Sequence, residues 1–247
     1  DASGFPGGAA ASYKLGAGAF DAHLAAISRH RPAVASAEDL ERGTPGVAVL
    51  LTFDDGGVSA LTAAAPALAR HGWPGHFFIA TGRIGTPGFL GREEIVALRQ
   101  AGHVIGSHSR SHPLRFAELS PEAMRAEWTE SRAVLEDTLG TEVRTASIPG
   151  GQYSRAAAEA AAAAGYRVLF TSEPVMRTHM VAGCRVVGRY TLRSSSTADT
   201  VESLVSGRRR ERWRQWTVWN AKKVAKAAGG RAYLALRDRL LERRALA

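Results

Sequence analysis

The chain has 247 residues, 45% of them hydrophobic, which suits one domain of α/β barrel size, or one domain plus an appendage, with an apolar core. No stretch approaches the ~18 consecutive apolar residues of a membrane-crossing helix, the opening DASGFPGGAAASYK does not read as a signal peptide, and a lone cysteine, Cys184, excludes an internal disulfide. The net charge of +9 suggests nucleic-acid binding only until it is located: residues 207–247 carry 13 Lys and Arg against three acids, a net +10, while the preceding 206 residues sum to −1.

Phe20, Leu24 and Ile27 fall at i, i+4 and i+7 and predict a helix near 18–30. The apolar run Val47–Leu51 predicts a strand buried on both faces. Ala60–Arg70 reads as a helix kinked by Pro66, and His76–Ala80 as the next strand. Glu93–Ala101 is a helix stopped by Gly102, followed by a strand over His103–Gly106. Ser120 caps a long helix with Pro121 at its first position, running to Leu139 before Gly140. A strand over Val143–Ile148 precedes an Ala-rich helix from the Ser154 cap to Ala164. Tyr166–Phe170 and Val186–Tyr190 predict two more strands, and Thr197–Val205 a short helix. Strand–helix alternation at this density predicts parallel βαβ units in a doubly wound sheet or a barrel, with ligands beyond the C-terminal strand ends.

Three segments at predicted strand ends carry chemistry. Thr52-Phe53-Asp54-Asp55-Gly56 sets two adjacent carboxylates at the mouth of a buried strand, where each needs a partner. Alone, the pair is equally a turn or a helix cap. His108-Ser109-Arg110-Ser111-His112 spaces two histidines four apart, which on a helical turn would face the same way as metal ligands. With Asp55 they make a two-histidine, one-carboxylate set that leaves positions open for water and substrate. Pro149-Gly150-Gly151-Gln152-Tyr153 supplies adjacent glycines whose N–H groups can approach a ligand.

These three segments resemble the first three motifs of the polysaccharide deacetylases, carbohydrate esterase family 4 with its NodB homology domain. The resemblance extends over roughly residues 13–206. It implies a distorted (β/α)7 barrel as a catalytic domain over 1–206, with a C-terminal basic helical extension over 207–247. It implies Asp54 as the general base and Asp55, His108 and His112 as ligands of one divalent metal, zinc before cobalt or nickel. Gly150, Gly151 and Tyr153 take the oxyanion and substrate-binding role. The implied reaction is removal of an N-acetyl group from an amino sugar in a glycan or lipid-linked precursor. The alternatives are an O-acetyl or N-formyl sugar, or a carbohydrate-binding barrel with weakened turnover. Two departures stand out. The arginine that precedes the third motif in the family is replaced by Ser147, with Arg144 three residues earlier, and no Leu-x-His motif follows. His179 is the candidate general acid, while His76 and His103 read as structural.

In the tail, Trp213, Trp216, Trp219, Val224 and Ala227 share one broad helical arc, interrupted by Arg209, Arg212 and Lys223. Tryptophan with Lys and Arg suits a membrane interface, and the same pattern suits a helix packed on the barrel. The expectation is a cytoplasmic protein, peripheral to the inner membrane through 207–247, or an exported one whose leader has been removed. Nucleic acid is the least favoured partner.

Overall fold

The computed structural model describes residues 10–42, 48–151, 153–221 and 223–224. Their contacts divide into two compact units: Arg31–Arg189, and the described parts of Gly4–His30 with Tyr190–Ala247. A 3-10 turn over Ala10–Tyr13 precedes helix α1 (Ala17–Arg29), and both belong to the second unit.

The first unit is built on two sheets. The smaller pairs β1 (Ala33–Val34) with β2 (Ala48–Val49) in parallel. Between them α2 (Ala37–Glu41) starts on a capping box, in which the Ser36 side chain accepts from the Asp39 N–H and Asp39 accepts from the Ser36 N–H. The larger sheet has seven strands: β3 (Leu51–Phe53), β4 (Gly75–Ile79), β5 (Val104–Ser107), β6 (Thr145–Ser147), β7 (Val168–Phe170), β8 (His179–Val181) and β9 (Cys184–Val187). Their order is β3-β4-β5-β6-β7-β9-β8, parallel throughout except for the β8–β9 hairpin. The sheet curls into a half-barrel, which is the distorted α/β barrel that the resemblance implies.

Four helices make the crossovers that parallel pairing requires between β3 and β7. A π-helical segment, Ala60–Ala64, runs into α3 (Ala65–Ala69) with Pro66 in its first turn. Pro66 has no N–H to donate back, and the widened turn ahead of it is the predicted kink. Helix α4 (Arg92–Gln100) follows, then α5 (Pro121–Leu139), which ends on Gly140 in the left-handed region at φ 66°. Helix α6 (Arg155–Ala163) packs its small alanine face on α5.

The core lies inside the curl, where Phe78, Val168 and Phe170 meet Ala37, with Leu50 and Val187 packed around them. The Ala37 N–H donates to His76 Nε2 at 2.9 Å, and His76 Nδ1–H donates to the Leu51 carbonyl at 2.9 Å. His103 Nδ1 accepts the Gly75 N–H at 3.1 Å. Both histidines are therefore structural, and Cys184 is buried.

In the second unit α1 packs on α7 (Ala198–Val205). Buried His23 hydrogen-bonds the Ser196 carbonyl at 2.8 Å, and Arg29 pairs with Glu202 at 3.0 Å. A further helix spans 209–221. Among the described residues no helix is long and apolar enough to cross a membrane.

Candidate metal centre and catalytic site

Strand register sets the site. Phe53 pairs with Phe77, Ile79 with Ser107, and Ser147 with Phe170, so Asp54, His108 and the turn after Ser147 all leave the sheet at its C-terminal rim. This is where a parallel α/β sheet presents side chains to a ligand.

Asp55, His108 and His112 converge. Asp55 Oδ1 lies 3.4 Å from His108 Nε2 and 3.4 Å from His112 Nε2, and the three ligand atoms lie within 4.8 Å of one another. The histidines do not reach this arrangement on a helical turn, as their spacing suggests. Residues 108–113 form a loop, with Ser109 at φ 62° and His112 at φ 56°. Asp55 sits at φ 80°. Left-handed backbone at non-glycine residues costs on the order of 1–3 kcal/mol each and persists only where the surroundings enforce it. Three of the five such residues described belong to this one site.

The enforcing contacts come from two sides. The Thr81 and Gly82 N–H groups donate to the Ser109 and Arg110 carbonyls at 3.1 and 2.8 Å. On the other side, Glu127 of α5 accepts from the Ser111 N–H at 2.8 Å and the Ser111 hydroxyl at 2.6 Å. Glu130 pairs with Arg110, and buried Ser131 bonds Ser107 Oγ at 2.7 Å. Glu130 and Ser131 stand one turn beyond Glu127 on α5, on the same face, so the helix brackets the loop.

The donor set fits a divalent cation. His108 Nδ1 lies 2.8 Å from the Ser147 carbonyl, which can only accept, so Nδ1 carries the hydrogen and Nε2 turns its lone pair to the site. Two nitrogens and one oxygen clustered within 4.8 Å satisfy the geometry for one shared ion, since beyond about 6 Å no single ion could be shared. Burial and the charge of His108 push His112 down to about 4. Burial also opposes charge on His108, but Asp54 and Asp55 outweigh it and raise its pKa.

Asp54 borders the cluster, its Oδ2 lying 3.9 Å from His108 Nε2. Arg189 forks it, donating from Nη1 to Oδ1 and from Nη2 to Oδ2, both at 2.8 Å. Nη2 also reaches Ser147 Oγ at 2.8 Å, and Nη1 reaches Thr52 Oγ1 at 3.2 Å. Burial raises the Asp54 carboxyl, but Arg189, then His108, then Ser147 hold it well below the ordinary carboxylate range. Gly150 takes φ 61° and backs onto the Leu114 carbonyl, which a Cβ there would meet at 3.0 Å. The Gly151 N–H donates to the Ile148 carbonyl at 3.3 Å, and among the described residues no acceptor is seen for the Gly150 N–H. Tyr153 reaches His179 instead, with its hydroxyl 3.0 Å from Nε2.

Residues 41–169, more than half of the 247, match the sequence profile of the polysaccharide deacetylases. The chain belongs to the polysaccharide deacetylase family. Over 126 residues it is 30% identical to YxkH of Bacillus subtilis (strain 168), described provisionally as a polysaccharide deacetylase. That match spans 51% of this chain and 45% of YxkH, so the chain covers less than half the length of this relative. The fold is shared with the Streptococcus pyogenes deacetylase PplD, solved in complex with acetate, at a TM-score of 0.68 and 20% identity over 77% of this chain and 86% of that one. A de-N-acetylase of Aggregatibacter actinomycetemcomitans aligns at a TM-score of 0.69 and 19% identity over 82% and 92%.

In this member of the family the guanidinium facing Asp54 comes from Arg189, just past β9, and lands on the side chain of Ser147, where the motif's arginine would have begun. Sequence reading missed Arg189. The only available signal was its position just inside the end of the predicted strand Val186–Tyr190.

Proposed function

We propose that the chain is a metal-dependent hydrolase that removes an N-acetyl group from an amino sugar, in a glycan or a glycan precursor. The observation that carries this reading is the convergence of Asp55, His108 and His112 beside an Asp54 carboxylate forked by Arg189. The acetate in the PplD complex and the de-N-acetylase of Aggregatibacter actinomycetemcomitans agree with an acetyl group on nitrogen.

Asp55, His108 and His112 would hold the cation, zinc by its taste for two imidazoles and a carboxylate. Such a cation supplies Lewis acidity toward the acyl oxygen and makes a nearby water more acidic. Asp54 takes the proton from the attacking water. Its fork to Arg189 keeps it ionised and fixes its direction, at some cost in basicity. The Gly150 N–H is the backbone donor we assign to the developing oxyanion, with its left-handed turn holding it at the rim. We assign the proton for the departing amine to His179, which the Tyr153 hydroxyl orients. Burial and the charge of Glu173 raise the Tyr153 pKa, so the phenol stays protonated.

The test is release of acetate and appearance of a primary amine from chitooligosaccharides and from lipid- or nucleotide-linked N-acetylglucosamine, with metal content measured. Asp54→Asn should keep its metal and lose about 10²–10⁴-fold in rate. His112→Ala should lose metal and rate together. Formate in place of acetate, or product with no new amine, would redirect the assignment to an N-formyl or O-acetyl sugar. Equal turnover by metal-loaded Asp54→Asn would remove Asp54 from its role.

A further inference from the structure

We infer that the helix over 209–221 is an interfacial element that seats the protein on an anionic lipid surface. The helix has a fixed side and an open side. On the fixed side, Arg212 donates to the Leu204 carbonyl from Nε at 3.2 Å and Nη2 at 2.6 Å, and its guanidinium lies 5.9 Å from the Tyr190 ring centre. Gln215 Oε1 accepts the Thr191 N–H at 3.1 Å. With Trp219, which is half-buried, these residues run i, i+3, i+7 along one stripe.

Arg209, Trp213, Trp216, Asn220 and Val224 follow i, i+4, i+7, i+11, i+15 along a neighbouring stripe. Trp213 is 67% exposed, Trp216 44% and Val224 66%. Among the described residues nothing covers these two tryptophans and the valine, which form an exposed apolar patch on one helix flank.

Charge identifies the occupant. Arg208, Arg209 and Arg210 stand exposed at the amino end of this helix, where its dipole is positive and cations are unfavourable. They do not stabilise the helix, and an external anionic surface would relieve them. Residues 207–247 carry a net +10, while the rest of the chain carries −1, so attraction to such a surface is confined to this end. Indole rings with flanking arginines are at home at lipid headgroups, and Val224 adds an aliphatic group that can enter the acyl boundary but has nothing to offer a nucleic-acid base. The partner of stated chemistry is therefore a bilayer bearing phosphatidylglycerol-type headgroups, bound at its surface.

Flotation of the full chain with vesicles of phosphatidylglycerol and phosphatidylcholine tests this, with pure phosphatidylcholine as control. The protein should float with the anionic vesicles alone, and raising salt should cut the bound fraction by roughly tenfold. Trp213→Ser/Trp216→Ser and, separately, Arg208→Gln/Arg209→Gln/Arg210→Gln should each weaken flotation. Brominated acyl chains should quench the tryptophan fluorescence of the parent. Absence of flotation, or flotation without quenching, overturns the proposal. So does a Trp213→Ser/Trp216→Ser variant that floats like the parent, or one that melts several degrees lower, since these tryptophans would then be covered by the chain itself. Quenching-strength fluorescence changes with single- or double-stranded DNA at the same salt, but not with vesicles, would transfer the surface to nucleic acid.

Discussion

Asp54 and Arg189 lie far apart in sequence, yet they form a two-pronged ion pair in which the Arg189 side chain is only 13% exposed. A planar fork fixes the carboxylate's direction, which a lysine's point charge cannot do. Arg189→Met should therefore retain the metal but lose about 10²-fold in acetate release, the scale expected when a reacting group is misdirected by an ångström. Arg189→Lys should recover only part of that loss. A metal-loaded Arg189→Met protein with the parental rate would show that Asp54 needs no such fork. The carboxylate pair itself was legible, because Asp54-Asp55 follows an apolar run and two ionised groups at a strand mouth demand partners. The arginine partner was not legible. Nothing local marks Arg189 among the chain's many arginines, and only the sheet order, with β7 beside β9, carries it to Ser147 and Asp54. Gly188 admits this approach, since a Cβ there would meet the Glu173 and Val175 carbonyls at 2.4 and 2.5 Å.

Among the elements, α5 contributes more than a crossover. The ligand loop holds left-handed Ser109 and His112 against their preference, and Glu127 grips Ser111 between them with two hydrogen bonds. Glu127→Gln keeps the shape of this bracket but weakens it, because an amide can accept at one atom only. It should lower zinc affinity by roughly 10-fold, measured by competition with a chromogenic chelator, with the melting temperature little changed. Unchanged affinity would mean that the loop holds its form without α5. The histidine spacing singled out two residues that the fold does bring together, but for a reason the fold does not use: i, i+4 implies a helical face, whereas the loop brings the rings together through two positive φ angles. Hydrophobic periodicity cannot report a positive φ on Ser or His. Capped helices were the most legible elements, and Ser120, Pro121 and Gly140 bound α5 as expected. The β8–β9 hairpin escaped, because its turn is Ala182-Gly183, both left-handed, without the Asn or Asp that usually announces such a turn. That hairpin is also what carries His179 to Tyr153.

For the whole molecule, the pI of 10.4 describes neither compact unit evenly, since the +10 of residues 207–247 is set against −1 for all the rest. The chemistry proposed for Asp54, Asp55, His108 and His112 and the tail's charge are separate properties, and only the first bears on the family. The proposed activity stands or falls with Asp55, His108 and His112 holding one divalent ion on which deacetylation depends. It is tested most directly by acetate release from an N-acetylated chitooligosaccharide as metal-stripped protein is titrated with zinc. Rate should rise with bound zinc and level off at one ion per chain, and His112→Ala should show neither the tight binding nor the rate. Full turnover by the stripped protein, or zinc bound as tightly and in the same ratio by His112→Ala, would contradict this assignment.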